Sequence, residues 1–170
     1  KRQVSLDGPV HRGLTAALGD RTSAIVHREE RALLRSPLSP DAYLEASLSG
    51  KKRKEIRRQW NRLAECGEIA VERLRGSDRL EDWTGEFLAL EAAGWKGSAG
   101  SALASQNATR AIFREALSGA AARGRLERLA LRLDGKPIAM LATFLTLPGA
   151  FSFKTCLLYT SPSPRDKRQS

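Results

Sequence analysis

The spacing of apolar residues changes at Leu126, and this change constrains the fold more than any other feature of the chain. Between Asp78 and Leu126 apolar residues recur at steps of three or four, which is the period of a helix buried along one side. From Leu126 onward they alternate with polar residues, which is the period of a strand. We therefore expect an α/β fold of the α+β type, in which helices precede and cover a sheet.

A helix and a strand are predicted ahead of this region. Ser39-Pro40-Asp41 is a helix-start signal, because a capping residue is followed by proline in the first turn. The helical pattern runs to Cys66, with Gly67 as its stop, and Ser49-Gly50 can divide it in two. The alternating segment 68–73 then predicts a half-buried strand.

Residues 1–39 carry only a weak pattern. Their apolar groups at 24–26 and 32–34 are separated by charged residues, as in two short strands. The chain begins at Lys1 without an initiator Met or a basic-then-apolar leader. We expect residues 1–39 to be the remnant of a preceding region of a longer protein.

Two further helices are predicted between Asp78 and Gly124. Asp78 can cap the first of them together with Glu81, and its buried side carries Leu80, Trp83, Phe87 and Leu90. The second opens at Ser105 or Asn107 and ends at Gly124, and its apolar residues are Ile112, Phe113, Ala116, Leu117 and Ala120. We expect the strands that follow to pack on these two helices, over 79–93 and 107–123.

Three mostly antiparallel strands are predicted over 126–155. In the first, the leucines face one way (Leu129, Leu131 and Leu133) and the arginines the other (Arg128 and Arg132). Asp134-Gly135 favours a tight type I′ hairpin turn. The return strand 138–145 is apolar on both faces, and Pro148-Gly149 leads into a third strand over 150–155.

The chain is strongly basic, with a formal net charge of +10 from 29 Lys and Arg against 19 Asp and Glu. This charge favours a polyanionic partner such as nucleic acid, a membrane surface or the phosphates of a cofactor. It is concentrated in the helical segment from Lys51 to Arg62, which holds seven cations and one acid, Glu55.

On that helix, Ile56, Trp60 and Leu63 form the apolar side. Three cations flank this apolar side and can point into a cleft: Lys52, Arg53 and Arg57. The other four lie on the opposite side of the helix and face solvent: Lys51, Lys54, Arg58 and Arg62. A solvated basic face, an anion site for a cofactor or substrate phosphate, and a nucleic-acid surface all stay open. Nucleic acid is the least favoured, since exposed aromatics and a recognition motif are not seen.

Two further positions are candidates for substrate binding. Trp95 and Lys96 lie in the glycine-flanked loop 94–100, where they can line an acceptor pocket, or where Trp95 can anchor the loop while Lys96 faces water. Lys154 is the only charge in segment 150–155, so on an inner strand it needs an anionic or carbonyl partner, and on an edge strand its ammonium lies in water.

Metal and nucleophile chemistry find no support in the residue pattern. The two cysteines, Cys66 and Cys156, lie far apart, and neither histidine has a cysteine at metal-ligand spacing. No Ser-His-Asp set, Cys-His pair or phosphate-binding glycine loop is visible. The longest apolar stretch, 137–153, is too short and too interrupted to cross a membrane. We expect a reducing, cytoplasmic setting without a metal.

Four segments in order resemble the GNAT acyltransferases, in the branch named for the cellulose-biosynthesis protein CelD and related to the Fem-type aminoacyl transferases. They are Leu48-Ser49-Gly50-Lys51-Lys52-Arg53-Lys54-Glu55-Ile56-Arg57-Arg58, Leu90-Glu91-Ala92-Ala93-Gly94-Trp95-Lys96-Gly97, Leu133-Asp134-Gly135-Lys136-Pro137-Ile138-Ala139 and Phe151-Ser152-Phe153-Lys154-Thr155. The resemblance covers 40–155 and implies a partial GNAT-like fold, strand, helix, helix and three antiparallel strands, preceded by the basic helix.

The resemblance also implies the chemistry, which is transfer of an acyl group from acetyl-CoA or another acyl-CoA to an amine. The acceptor would be a small molecule or a peptidoglycan- or polysaccharide-related amine. The reaction needs a base and an oxyanion donor, and such proteins commonly supply the donor from main-chain N–H. Glu86 and Glu91 are candidate bases that the sequence does not single out, and as helix residues they are expected to face solvent.

The end of the chain departs from the family. GNAT proteins need a fourth strand whose main chain pairs with pantetheine, and then a glycine-containing turn and helix that receive the pyrophosphate. No glycine follows Gly149, and the segment 156–166 resembles translated sequencing-adapter read-through. We therefore expect 156–170 to be a non-native tail, and the chain to be a truncated domain that cannot hold CoA, since Pro162 and Pro164 have no N–H to donate.

Overall fold

The computed structural model describes residues 4–6, 8–30, 33–146 and 149–158, apart from the side chains of Trp95 and Ser98. Two units can be separated, Lys1–Ser47 and Leu48–Ser170. The predicted tail 156–170 is described only as far as Leu158, and its residues Cys156 and Leu157 belong to a strand. The rest of this tail and the proline of the predicted turn at 148 lie outside the described residues.

The first unit contains two helices in its described part, α1 (Pro9–Leu18) and α2 (Pro40–Ser47). Ser39 Oγ accepts a hydrogen bond from Ala42 N at 3.3 Å, so the helix-start signal is confirmed. The two predicted short strands are wrong for the described residues, because 24–26 and 33–34 have no ladder partner and lie exposed. α1 was not anticipated by the sequence pattern.

The second unit opens with the basic helix, α3 (Gly50–Ala64). Ser49 caps it by accepting a hydrogen bond from Lys52 N at 3.3 Å, which confirms a break at Ser49-Gly50. None of the residues of α3 is buried.

A four-stranded sheet forms the centre of this unit, in the order β1-β2-β3-β4 with every neighbouring pair antiparallel. Its strands are β1 (Ile69–Arg75), β2 (Leu126–Leu133), β3 (Lys136–Thr146) and β4 (Gly149–Leu157). The turn at Asp134-Gly135 has φ of 48° and 76°, as a type I′ hairpin requires, so this prediction is confirmed. The Asp134 carboxylate also accepts a hydrogen bond from Glu68 N at 2.8 Å, which ties the turn to the start of β1.

Two long helices, α4 (Leu80–Ala93) and α6 (Asn107–Ala121), pack on one face of the sheet. The predicted apolar side of α4 is confirmed, since Trp83, Phe87 and Leu90 are buried and Leu80 packs against them. The Asp78 cap is wrong, because Arg79 occupies the N-cap position with φ of 46° and no side chain caps the helix. On α6, Phe113 and Leu117 are buried but Ile112 is exposed.

The alternation along β2 is confirmed, but the face that enters the core is the one that carries the arginines. Arg128 lies between the buried residues Leu126 and Ala130 and is itself fully buried. The leucines on the other face, such as Leu129 and Leu131, are only half-buried. The period of the sequence predicts alternation without saying which face the helices cover.

Candidate functional site

β4 lies at the edge of the described sheet and pairs only with β3. Leu158 N donates to Ile138 O at 2.7 Å, so the main chain of Leu158 faces β3. Because main-chain direction alternates along a strand, the N–H and C=O groups of Thr155 and Leu157 face away from β3. This edge can pair with an extended ligand, and it ends beside α4, since a Cβ at Gly94 would lie 3.7 Å from Leu157 O.

Glu91, in the last turn of α4, is a buried carboxylate that holds the following loop. Its side chain is 2% exposed, and its Oε1 accepts a hydrogen bond from Lys96 Nζ at 2.9 Å. Its Oε2 accepts one from Leu103 N at 2.8 Å. The expectation that Glu91 faces solvent is wrong, and since both its oxygens have partners, the carboxylate positions the loop instead of standing free as a base.

The position of Glu91 could have been read from helical spacing. It follows Phe87 by four residues and Thr84 by seven, and both of those residues are buried. Residues at these steps share one side of a helix. The general preference of glutamate for solvent outweighed that signal in the sequence-based expectation.

The segment that follows α4 is more ordered than the predicted loop 94–100. It contains a short helix, α5 (Trp95–Ser98), and a 3₁₀ turn, Leu103–Ser105. Lys96 O accepts hydrogen bonds from Ser101 N at 2.8 Å and from Ala102 N at 3.1 Å, and these bonds fold the segment back. Gly97 approaches Ala92 O so closely that any side chain would overlap it.

The predicted role of Trp95 concerns a side chain outside the described residues. Its backbone begins α5, next to Lys96. The Lys96 side chain is 29% exposed and its ammonium is paired with Glu91, and its role in an acceptor pocket stays a prediction.

Cys156 of β4 lies near the Glu91–Lys96 ion pair. Burial, with the charge of Glu91 as a second cause, raises the pKa of the Cys156 thiol to about 12, so the thiol is protonated at neutral pH and is no nucleophile. Lys154 lies two residues earlier, half-buried and opposite Ala142 on β3. Among the described residues its ammonium has no ion pair or hydrogen-bond partner, which leaves it available to a ligand.

The second candidate base, Glu86, is held in an ion-pair network. Arg132 donates from Nη2 to Glu86 Oε2 at 2.6 Å and to Glu72 Oε2 at 2.7 Å. The hydrogen bond to Glu86, followed by that to Glu72, raises the pKa of the Arg132 guanidinium. The network joins α4 to β1 and β2, so Glu86 is a structural partner and not a solvent-facing carboxylate.

Arg128 is buried without a carboxylate. Its Nη2 donates to Gly76 O at 3.1 Å and to Asp78 O at 2.5 Å, and its guanidinium carbon lies 5.8 Å from the centre of the Trp83 ring. Burial lowers the pKa of this guanidinium. The residue pattern did not indicate this contact, which fixes the turn between β1 and α4.

The flanking cations of α3 are not gathered around Glu91. Lys52 and Arg57 are exposed, and Arg53 is half-buried with its Nη1 donating to Leu48 O at 2.7 Å. α5 and the 3₁₀ turn both pack on α4, and α4 also packs on β4, whereas α3 shares no comparable packing with them. A depression of about 420 Å³ beside Phe144 and Arg125 lies at the opposite end of the sheet from Cys156.

Within the described part of the chain, no helix is long and apolar enough to cross a membrane. The same residues include no group of three or more His, Cys, Asp and Glu side chains that could hold a metal ion.

The chain matches a known protein family. The family model described as acetyltransferase (GNAT) domain matches residues 50–147, which is more than half of the chain. The match begins at the first residue of α3 and extends to the end of β3, so it includes the basic helix, α4, α6 and the first three strands. No curated protein and no solved structure matches the chain.

Proposed function

Because the chain belongs to the GNAT acetyltransferase family, we propose that it is the core of an acyl-CoA-dependent N-acyltransferase. Acyl-CoA supplies the acyl group as a thioester, and an amine receives it. The observation that carries the proposal is the exposed main-chain edge of β4, which ends beside the loop held by Glu91. An extended pantetheine arm can pair with such an edge as an added strand does.

The roles of the neighbouring side chains follow from their surroundings. Lys154 lies on β4 with a free ammonium among the described residues, and it binds an anionic or carbonyl group of the substrate. Trp95 and Lys96 shape the wall of the acceptor pocket, with Lys96 held by Glu91. Lys52, Arg53 and Arg57 form an anion-binding surface apart from the reacting centre.

The proposal extends to the setting of the reaction. The four segments of sequence resemblance favour the CelD-named branch related to the Fem-type transferases, with a small-molecule or a peptidoglycan- or polysaccharide-related amine as acceptor. Two free thiols, Cys66 and Cys156, are consistent with a reducing cytoplasm. The outward edge of β4 offers main-chain N–H groups that can donate hydrogen bonds to the oxyanion.

Calorimetry with acetyl-CoA tests the proposal in two steps. The 170-residue chain should not bind, because the segment after Leu158 offers Pro162 and Pro164 where a phosphate-receiving turn needs N–H groups. A chain in which a GNAT relative's turn and helix follow Leu158 should bind at micromolar concentration, or about 8 kcal/mol. A folded graft that fails to bind contradicts the function, while micromolar binding by the original chain contradicts only the argument about the tail.

A substitution at the edge of β4 tests the strand itself. In the graft, Thr155→Pro removes an N–H that faces away from β3, so the sheet should persist while binding falls at least about tenfold. Thr155→Val keeps the N–H and a similar shape, and should bind as the parent graft does. Equal binding by the two variants would show that pantetheine does not pair with β4.

A further inference from the structure

α3 presents an unusual combination of charge and apolar exposure. Its 15 residues contain seven cations and one carboxylate, a net charge of +6, and none of them is buried. Two apolar residues one turn apart, Ile56 and Trp60, are 45% and 46% exposed. With half-buried Leu63 they form a continuous stripe, the α3 stripe.

The cations of α3 lie on both sides of this stripe and on the far side of the helix. Lys52 flanks it on one side, and Arg53 and Arg57 flank it on the other, whereas Lys51, Lys54, Arg58 and Arg62 lie on the far side of the helix. An exposed tryptophan and isoleucine between cations favour a partner that is apolar at the stripe and anionic on both sides of it.

Nucleic acid and free phosphate meet only half of this requirement. They would pair with the cations, and Trp60, an exposed aromatic where the sequence predicted none, could stack on a base. Ile56 and Leu63 would still stay in water. A bilayer of anionic phospholipid offers hydrocarbon at the depth of the stripe and phosphates at the level of the flanking cations. A helix of 15 residues is about 22 Å long, which suits a helix that lies in the plane of the interface.

We propose that α3 docks on the surface of an anionic phospholipid bilayer. Ile56 and Trp60 enter the boundary between headgroups and acyl chains. Lys52 and Arg57 lie against headgroup phosphates, with their methylene stems along the apolar surface. The far side of α3, where Lys51, Lys54, Glu55 and Arg58 line an open depression of about 570 Å³, stays in water. The inference is independent of acyl transfer.

The test is co-sedimentation of the full chain with vesicles. Vesicles of mixed phosphatidylglycerol and phosphatidylcholine should bind the chain, and vesicles of phosphatidylcholine alone should not. Each cation near the surface contributes about a fivefold factor, so Lys52→Gln with Arg57→Gln should weaken binding about 25-fold. Lys51→Gln with Lys54→Gln, which removes the same charge a Debye length further out, should weaken it about threefold.

The apolar contribution has its own matched control. Ile56→Ser should weaken vesicle binding about tenfold, whereas Ile112→Ser should leave it unchanged, because Ile112 is 63% exposed on α6 and has no such ring of cations around it. In a Trp95→Phe background, Trp60 and the already buried Trp83 are the remaining tryptophans, so a blue shift of emission on adding vesicles reports Trp60.

Four outcomes would overturn the inference. They are equal binding to neutral and anionic vesicles, binding unchanged by Ile56→Ser, tighter binding to duplex DNA or RNA than to vesicles, and self-association that shifts Trp60 emission without vesicles. Circular dichroism melts of each variant accompany the binding data. Since Ile56, Ile112 and the substituted cations are exposed, the variants at those positions should unfold as the parent does.

Discussion

α3 and α4 are helices of 15 and 14 residues in the same unit, and they contain the same residue types in opposite settings, facing solvent in α3 and buried in α4. Each contains a tryptophan and a glutamate that accepts two hydrogen bonds, Trp60 and Glu55 in α3, Trp83 and Glu91 in α4. In α3 these side chains meet solvent, whereas in α4 they meet the sheet and the loop that follows. The contribution of a residue to stability is therefore set by its surroundings more than by its type.

The two tryptophans should show the largest contrast. Trp83 is 1% exposed and stacks on Phe87 with ring centres 5.3 Å apart, so Trp83→Ala should lower the free energy of unfolding by about 3–5 kcal/mol. Trp60→Ala should lower it by less than about 0.5 kcal/mol. Urea unfolding curves measure both values, and similar losses at the two sites would contradict the burial difference.

An arginine pair sharpens the comparison. Arg128→Ala leaves a cavity under Trp83 and removes the donor to Gly76 O and Asp78 O, so we expect a loss of about 2–4 kcal/mol. Arg62→Ala, at the end of α3, should change stability by less than about 0.5 kcal/mol. Hydrogen exchange at residues 76–79 should rise in the Arg128 variant before global unfolding. Unchanged exchange there would mean that Arg128 does not hold the turn.

The two glutamates compare a buried carboxylate that holds a loop with a carboxylate in a surface ion pair. Glu91→Gln keeps the shape but removes the charge that Lys96 and Leu103 N share, and should cost about 1–3 kcal/mol. Exchange of the Leu103 amide should quicken with it. Glu55→Gln, whose carboxylate pairs with exposed Arg58, should leave the unfolding curve unchanged within error. If the Leu103 amide exchanges at the parent rate in Glu91→Gln, the Glu91 carboxylate does not hold the loop.

The thiols give the smallest effect at neutral pH and a dependence on pH above it. Cys66, just after α3, is exposed and should react with a disulfide reagent in the native protein, while buried Cys156 should react only on unfolding. Since folding raises the pKa of Cys156 from about 9 to about 12, its contribution to stability is complete below about pH 9 and is lost as the pH rises toward 12. Cys156→Ala should flatten that decline, and an identical slope in the variant would contradict the pKa shift.

Sequence analysis succeeded where partners are close along the chain. The break at Ser49-Gly50, the buried side of α4 and the hairpin at Asp134-Gly135 each depend on residues within about a turn or a strand. It failed at the Asp78 cap, where Arg79 takes the position with a left-handed backbone, and in residues 24–26, where no partner strand is present among the described residues. The sequence anticipated only part of the site. Lys96 pairs with Glu91 and Lys154 lies on β4, but the cations of α3 lie away from both.

The sequence by itself determined the order of the long helices and strands from α2 to β4, the turn that joins β2 to β3 and the family to which the chain belongs, because periodicity and turn chemistry are local properties. Only the tertiary structure decided which face of β2 is covered and so buried Arg128, whose partners Gly76 and Asp78 lie 52 and 50 residues away. It also buried the Glu91 carboxylate, which accepts hydrogen bonds from Lys96 and Leu103 in the segment that follows α4. A buried polar group is stable only with its partners in place, and those partners come together only when the chain has folded.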